Sequence, residues 1–243
     1  NYGDTIIEKH NSALQKVKEI SASEFDGVQT SLIYDVSGNL LSKIKGDKET
    51  YYLRYNDIPS TVRDAFIAIE DHRFLEHSGV DYIAIARAAL EILKSDGELV
   101  QGGSTITQQL ARTVFLSSDK KIERKIEEMF IAFELEKQYS KEDILEFYIN
   151  NINYGNNCYG IEAASRKYFG KSVKELSKSQ MIYLCAIPQS PTGNDPLQYP
   201  NNTLRRRDNI IRAMSEYGYL KPSEESLLMK ESIVPIKSES STN

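Results

Sequence analysis

Three short stretches of the chain gather residue types that can do chemistry. The first is Glu70-Asp71-His72-Arg73-Phe74-Leu75-Glu76-His77-Ser78-Gly79. Glu70 falls where the preceding helix should end and faces the negative end of its dipole, so the charged form is disfavoured there. That suits a carboxyl that exchanges protons near neutral pH. On spacing alone, a solvated acidic turn accounts for the same residues, and a metal site of Glu70, His72 and His77 lacks a further neutral nitrogen or thiolate nearby. The second stretch is Gly102-Gly103-Ser104-Thr105-Ile106-Thr107-Gln108-Gln109-Leu110-Ala111-Arg112. Two glycines ahead of a helix N-terminus bring free N–H groups to an anion such as phosphate, and the hydroxyls and amides suit sugar or phosphate oxygens. A glycine turn with a Ser/Thr N-cap explains it equally well. The third is Arg124-Lys125-Ile126-Glu127-Glu128. At about 100° per residue, Arg124, Lys125 and Glu128 share the polar side of a helix. Taken alone, an i,i+4 surface pair of Arg124 with Glu128 is sufficient.

The elements that must position these residues follow from apolar spacing. Asn1–Ser23 is polar with a faint helical pattern and reads as a connecting helix. Val28–Tyr55 reads as short strands around turns, the one β-like part. From Pro59 the chain is helical. Ser60 is placed as N-cap, with Val62, Ala65, Phe66 and Ile69 on one face of a helix ending near Glu70–Arg73. Tyr82–Lys94 is apolar over more than one stripe. Further helices are expected to about Phe115, over Ile122–Tyr139 with Ile122, Ile126, Met129, Phe130 and Phe133 inward, and over Lys141–Ile149 behind a Ser140/Asp143 capping box. An Asn- and Gly-rich loop, Asn150–Gly160, follows. Then come helices over Ile161–Phe169 closed by Gly170, from a Ser177/Gln180 cap to Pro188, over Thr203–Tyr217, and over Glu224–Lys230. The fold class predicted is mostly α with a short β segment at the N-terminal side.

Composition removes whole classes of function. The 243 residues are 40% hydrophobic and 27% charged, which excludes collagen, low-complexity disorder and disulfide-stapled miniproteins. A net charge of −5 argues against general nucleic-acid binding. Two cysteines and three histidines leave little for metal clusters. No run of eighteen apolar residues marks a bilayer span, and the chain starts at Asn1 without a Met, which reads as an excised piece. Ser117-Ser118-Asp119-Lys120 and Ser42-Lys43-Ile44-Lys45 fit the spacing of penicillin-reactive serines, but no Lys-Thr-Gly or Ser-Asp-Asn accompanies them.

Together the three stretches resemble the first three motifs of the peptidoglycan glycosyltransferase family (family 51), found in class A penicillin-binding proteins and monofunctional transglycosylases. Tyr148-Ile149-Asn150, Gly155, Gly160, Ala163, Ala164 and Tyr168-Phe169-Gly170 resemble the fourth motif, and Ile187-Pro188-Gln189-Ser190-Pro191 the fifth. The likeness runs from about Tyr34 to Met214. It departs from the family at Arg112-Thr113, where Lys-Asn is usual, at Gln180 for Glu, and at Asn194 for Tyr.

The resemblance implies a lysozyme-like fold with a globular lobe and a smaller jaw lobe that contacts the membrane. It implies 1–27 as a segment after a membrane anchor and 28–220 as the glycosyltransferase domain, with a lead-in at 28–58 and the jaw at 75–101. It implies 221–243 as a linker toward a transpeptidase domain of the parent chain. The strand-like lead-in points to a class A parent. The activity implied is polymerisation of lipid II into β-1,4-linked glycan, with Glu70 as general base and Glu128 as a second acid that orients the donor site. Substrate binding would fall to Asp71, Phe74, Gly103, Ser104, Thr105, Gln108, Gln109, Arg112, Arg124, Lys125 and Asn150. Lys125, Arg124, Arg112 and the helix N-terminus would neutralise the departing pyrophosphate, shared in some members with a divalent cation (Mg or Mn). The partners implied are lipid II, the growing glycan, the outer face of the cytoplasmic membrane and phosphoglycolipid inhibitors of the moenomycin type; no nucleic acid is expected. A lysozyme-like hydrolase or lytic transglycosylase is the alternative enzyme. The cationic set speaks against it, because a glycan backbone carries no pyrophosphate. A non-catalytic wall-synthesis scaffold is the alternative outside enzymes.

Overall fold

The computed structural model describes residues 2–26, 31–34, 40–44, 51–87, 103–116 and 122–236. In chain order it contains α1 (Tyr2–Glu19), α2 (Ala22–Phe25), β1 (Ser31–Tyr34), β2 (Leu40–Ile44), α3 (Ser60–Glu70), α4 (Ile106–Phe115), α5 (Ile122–Gln138), α6 (Lys141–Asn151), α7 (Ile161–Phe169), α8 (Lys178–Cys185), α9 (Pro200–Glu216) and α10 (Pro222–Lys230). The strands form one antiparallel hairpin whose register shifts between Ile33 and Tyr34. The mostly helical class read from the sequence is what the structure shows. Residues 82–87 are helical, and the rest of the Tyr82–Lys94 stretch lies outside the described residues, as do 35–39 and 117–121.

The chain divides into two compact units, one of residues 1–24 and 70–148 and one of 25–69 and 149–243. In the first, α1 and α4 both pack on α5. This corrects the inward stripe expected for α5. Glu127, Glu128, Ile131, Ala132 and Leu135 are buried, whereas Ile126, Met129, Phe130 and Phe133 are half-exposed. A helix covered on two sides buries more than one stripe, and a carboxylate can lie inside it when a cation meets it there. Glu127 is met by Lys9 at 2.9 Å, Lys16 at 2.5 Å and the Ser12 hydroxyl at 3.1 Å, all from α1. Phe130 takes the edge of His10, and Phe133 stacks on Tyr82 at 6.3 Å.

The second unit has a core of Phe66, Tyr154, Tyr168, Tyr183 and Ile210, each fully buried. Its tyrosines need polar partners at their tips. The Tyr168 hydroxyl donates to the Tyr154 carbonyl at 2.9 Å and accepts from Asn156 at 3.1 Å, and burial pushes its ionisation well above the usual tyrosine range. Gly160 has φ +85°, and a Cβ there would lie 2.7 Å from the Asn150 carbonyl, so only glycine lets this loop fold back on the end of α6.

Several boundaries differ from the sequence reading. α6 runs to Asn151, so Asn150 is helical and does not open the loop. α8 stops at Cys185, before the residues that Pro188 bars from helical geometry. α9 starts at Pro200 because proline's missing N–H has no cost in a first turn. The Ser140/Asp143 box forms as expected, with the Ser140 N–H donating to Asp143 and the Asp143 N–H to Ser140 Oγ.

Candidate active site

The site residues of the first unit come from the end of α3, the start of α4 and the first two turns of α5. Glu70 is the last residue of α3. Its Oε2 accepts a hydrogen bond from Nε2 of Gln109 on α4 at 3.0 Å, and Oε1 of Gln109 accepts from the Tyr148 hydroxyl on α6 at 3.1 Å.

Asp71 locks this arrangement. Its two carboxylate oxygens lie 3.0 and 2.9 Å from Nε2 of His77, and Oδ2 also accepts the N–H of Ile106, the first residue of α4, at 3.0 Å. A buried carboxylate beside the helix that ends in Glu70 thus caps the helix that carries Gln109. Thr105 is the N-cap of α4 and forms a reciprocal box with Gln108, while its hydroxyl donates to the Gly79 carbonyl at 2.6 Å.

Lys125 lies on α5 with its side chain 43% exposed, and Glu128 beneath it has no exposure. The Lys125 ammonium donates to Oε1 of Glu128 and to Ser104 Oγ, the latter at 2.8 Å. Glu128 is therefore not on a solvated face with Arg124, and the surface pair considered from spacing does not form. The ammonium that meets it from the surface side explains how a carboxylate lies inside the helix packing. Oε2 of Glu128 and Nε of Arg124 are buried without a hydrogen-bond partner. Gly103 and Ser104 are half-exposed ahead of α4, and Arg112 is exposed three residues beyond Gln109, on the same side of the helix.

Five of the residues expected to bind substrate are committed elsewhere. Phe74 is fully buried, with Lys141 over its ring at 4.5 Å. Thr105 and Gln108 are buried in the cap, Asp71 is held by His77 and α4, and Asn150 belongs to the second unit. There its side chain accepts from the Leu53 N–H and donates to the Leu53 carbonyl, both at 2.8 Å. These residues shape the site: Asp71, Thr105 and Asn150 have protein partners for their polar groups, and Gln108 gives its Oε1 to the cap while its Nε2 is buried without a hydrogen-bond partner. Tyr148 is the residue that sequence reasoning left out of the site, although it stands in the fourth motif. A buried tyrosine in a helix needs a partner for its hydroxyl, which was the available signal.

Among the described residues no three His, Cys, Asp or Glu converge, and the carboxylate nearest the cations is bonded to Lys125.

Comparison with known proteins gives the family of the chain. The family model described as Transglycosylase matches residues 37–215. Penicillin-binding protein 1A of Aquifex aeolicus (strain VF5) is 42% identical over 81% of this chain and 27% of its own length. Penicillin-binding protein 1F of Bacillus subtilis (strain 168) is 46% identical over 70% of this chain and 24% of its own. Penicillin-binding protein 4 of the same organism is 37% identical over 89% and 35%. The chain belongs to the transglycosylase family and carries a peptidoglycan glycosyltransferase domain. It spans about a quarter to a third of the length of these relatives.

Proposed function

We propose that this domain joins the disaccharide units of lipid II into β-1,4-linked glycan, with inversion at the donor MurNAc C1 and release of undecaprenyl pyrophosphate. Glu70 takes the proton of the acceptor GlcNAc 4-OH as its oxygen bonds to C1 and the bond from C1 to the pyrophosphate breaks. The observation that carries this reading is the pairing of two differently held carboxylates. Glu70 is half-exposed and accepts a hydrogen bond from the Gln109 amide, so a neutral group steadies a carboxylate that solvent and substrate can reach. Glu128 is buried on Lys125 and serves to hold that ammonium. An ammonium has three N–H bonds; two go to Glu128 and Ser104, and the third is available to a phosphate oxygen. Arg124 and Arg112 add charge as the leaving group develops it.

In this reading the domain works at the outer face of the cytoplasmic membrane, supported by the exposed apolar side chains of Leu75, Tyr82, Ile83 and Ile85. Residues 28–220 form the glycosyltransferase domain of a class A parent that also carries an anchor and a transpeptidase domain. Moenomycin-type phosphoglycolipids would compete at the donor side.

The test is labelled lipid II with the products separated by gel. Glycan ladders are expected, and Glu70→Gln, which keeps shape but cannot accept the proton, should lose about 10²–10⁴ in rate. Near wild-type polymerisation by Glu70→Gln would return Glu70 to a solvated turn. Release of fragments from existing peptidoglycan, with no ladder from lipid II, would make the protein a hydrolase.

A further inference from the structure

We propose that Tyr148 is a positioning residue for the transfer reaction: its hydroxyl anchors the Gln109 amide that meets Glu70. The inference rests on the reading of Glu70 as the base and adds to it the device that holds that base in place.

The chemistry of the three groups dictates the order. An ionised carboxylate only accepts, so the end of Gln109 that touches Glu70 must be its NH2. That leaves the amide oxygen on the other side, and whatever meets it must donate. Tyr148 presents an O–H there, 3.1 Å away, while the Gln109 nitrogen lies 3.0 Å from Glu70. The row crosses three helices, from α6 through α4 to the end of α3. Tyr148 itself is 1% exposed, so it cannot touch the substrate and must act through its neighbour. Gln109 is half-exposed and its side chain, if unrestrained, turns freely about its last torsion. A turned amide would aim its oxygen at the carboxylate, and Glu70 would swing from the place where the acceptor hydroxyl arrives. The turned state loses the bond to Glu70 and sets lone pairs against lone pairs there, and the Tyr148 hydroxyl, by donating to the amide oxygen, anchors the far end of the amide so that the row stays in place.

Tyr148→Phe keeps the ring in the core and removes the hydroxyl. The rate of polymerisation at saturating lipid II should fall about tenfold, the worth of one hydrogen bond in orientation, while KM stays within about twofold. In a Gln109→Met background the same tyrosine change should have no further effect, because the element it acts on is gone. Three results overturn the proposal: an unchanged rate in Tyr148→Phe, an equal loss in the Gln109→Met background, or a loss that tracks a lowered melting temperature in both backgrounds. Glu70→Gln is run beside them. If it stays active, the base assignment fails; if it is inactive while Tyr148→Phe is normal, only the positioning role fails.

Discussion

Lys125 and Glu128 depend on each other, and a single substitution confounds two effects. Lys125→Ala removes the cation meant for the pyrophosphate and also strands a carboxylate that has no exposure. A stability loss of about 2–4 kcal/mol should accompany the loss of rate. The paired change Lys125→Met with Glu128→Gln separates them. Thermal denaturation should recover most of the stability, while lipid II turnover stays down by about 10²–10³. A paired variant at near-normal rate would remove Lys125 from the leaving-group role. At this scale the types of the site residues were legible in the sequence and their duties were not. Gln108 and Gln109 are neighbours of identical chemistry. Their difference comes from one turn of helix: with Thr105 as N-cap, Gln108 falls at the position that reaches back to the cap, and Gln109 is rotated toward Glu70. Deciding where the cap falls decides which amide is spent, and two hydroxyls, Ser104 and Thr105, competed for it.

Among the elements, α5 was the hardest to read. Its period is helical, but its buried positions include carboxylates, and a rule that sends charge to water puts the wrong face inside. Lys9, Ser12 and Lys16 on α1 make Glu127 an inside residue, and nothing within α5 announces that. Burial opposes ionisation of Glu127, but the hydrogen bonds from Lys16, Lys9 and Ser12 outweigh it and hold the carboxyl below its ordinary range. A depressed value in the fold means stability that is present above the unfolded value, near 4.5, and lost as pH falls through the folded one. Wild type should therefore exceed Glu127→Gln in stability by about 1 kcal/mol near pH 7, and the two melting curves should converge as pH falls below the unfolded value of 4.5 and through the lower folded one. A constant difference across that range would mean that α1 is held by its apolar contacts, Ala13 and Val17, alone. By contrast α7 and the capped start of α6 were legible, because each carries a local stop or start signal whose partner lies within four residues. The face of α3 was legible too, but its cap was not: Ser60 is already helical, and the Pro59 carbonyl accepts the N–H groups of Val62 and Arg63.

For the whole molecule, the order of five short motifs pointed to the family more clearly than any element did, because each motif is ambiguous and their sequence is not. The apolar excess after Gly79 was also visible, and in the described residues it stands at the surface, with Tyr82 63% and Ile83 52% exposed and Leu75, just before the glycine, 69% exposed. Asp81 caps that helical stretch through the N–H groups of Ile83 and Ala84. The chain should therefore sediment with phospholipid vesicles, and Leu75→Asp with Ile83→Asp should weaken this by about tenfold or more, since inserting each side chain is worth about 1.5–3 kcal/mol. Unchanged sedimentation with a native circular dichroism spectrum would take the membrane contact away from these residues. Gly79 sets a rule for anyone recombining such domains. Its carbonyl receives the Thr105 hydroxyl, and a Cβ on it would lie 2.7 Å from the Ala132 backbone, so the turn after the first motif is fitted at once to the head of α4 and the middle of α5. A chimera that takes this turn from one parent and those helices from another inherits a joint cut for a different neighbour. The exchangeable cassette is the set of three segments, and breakpoints belong outside all of them.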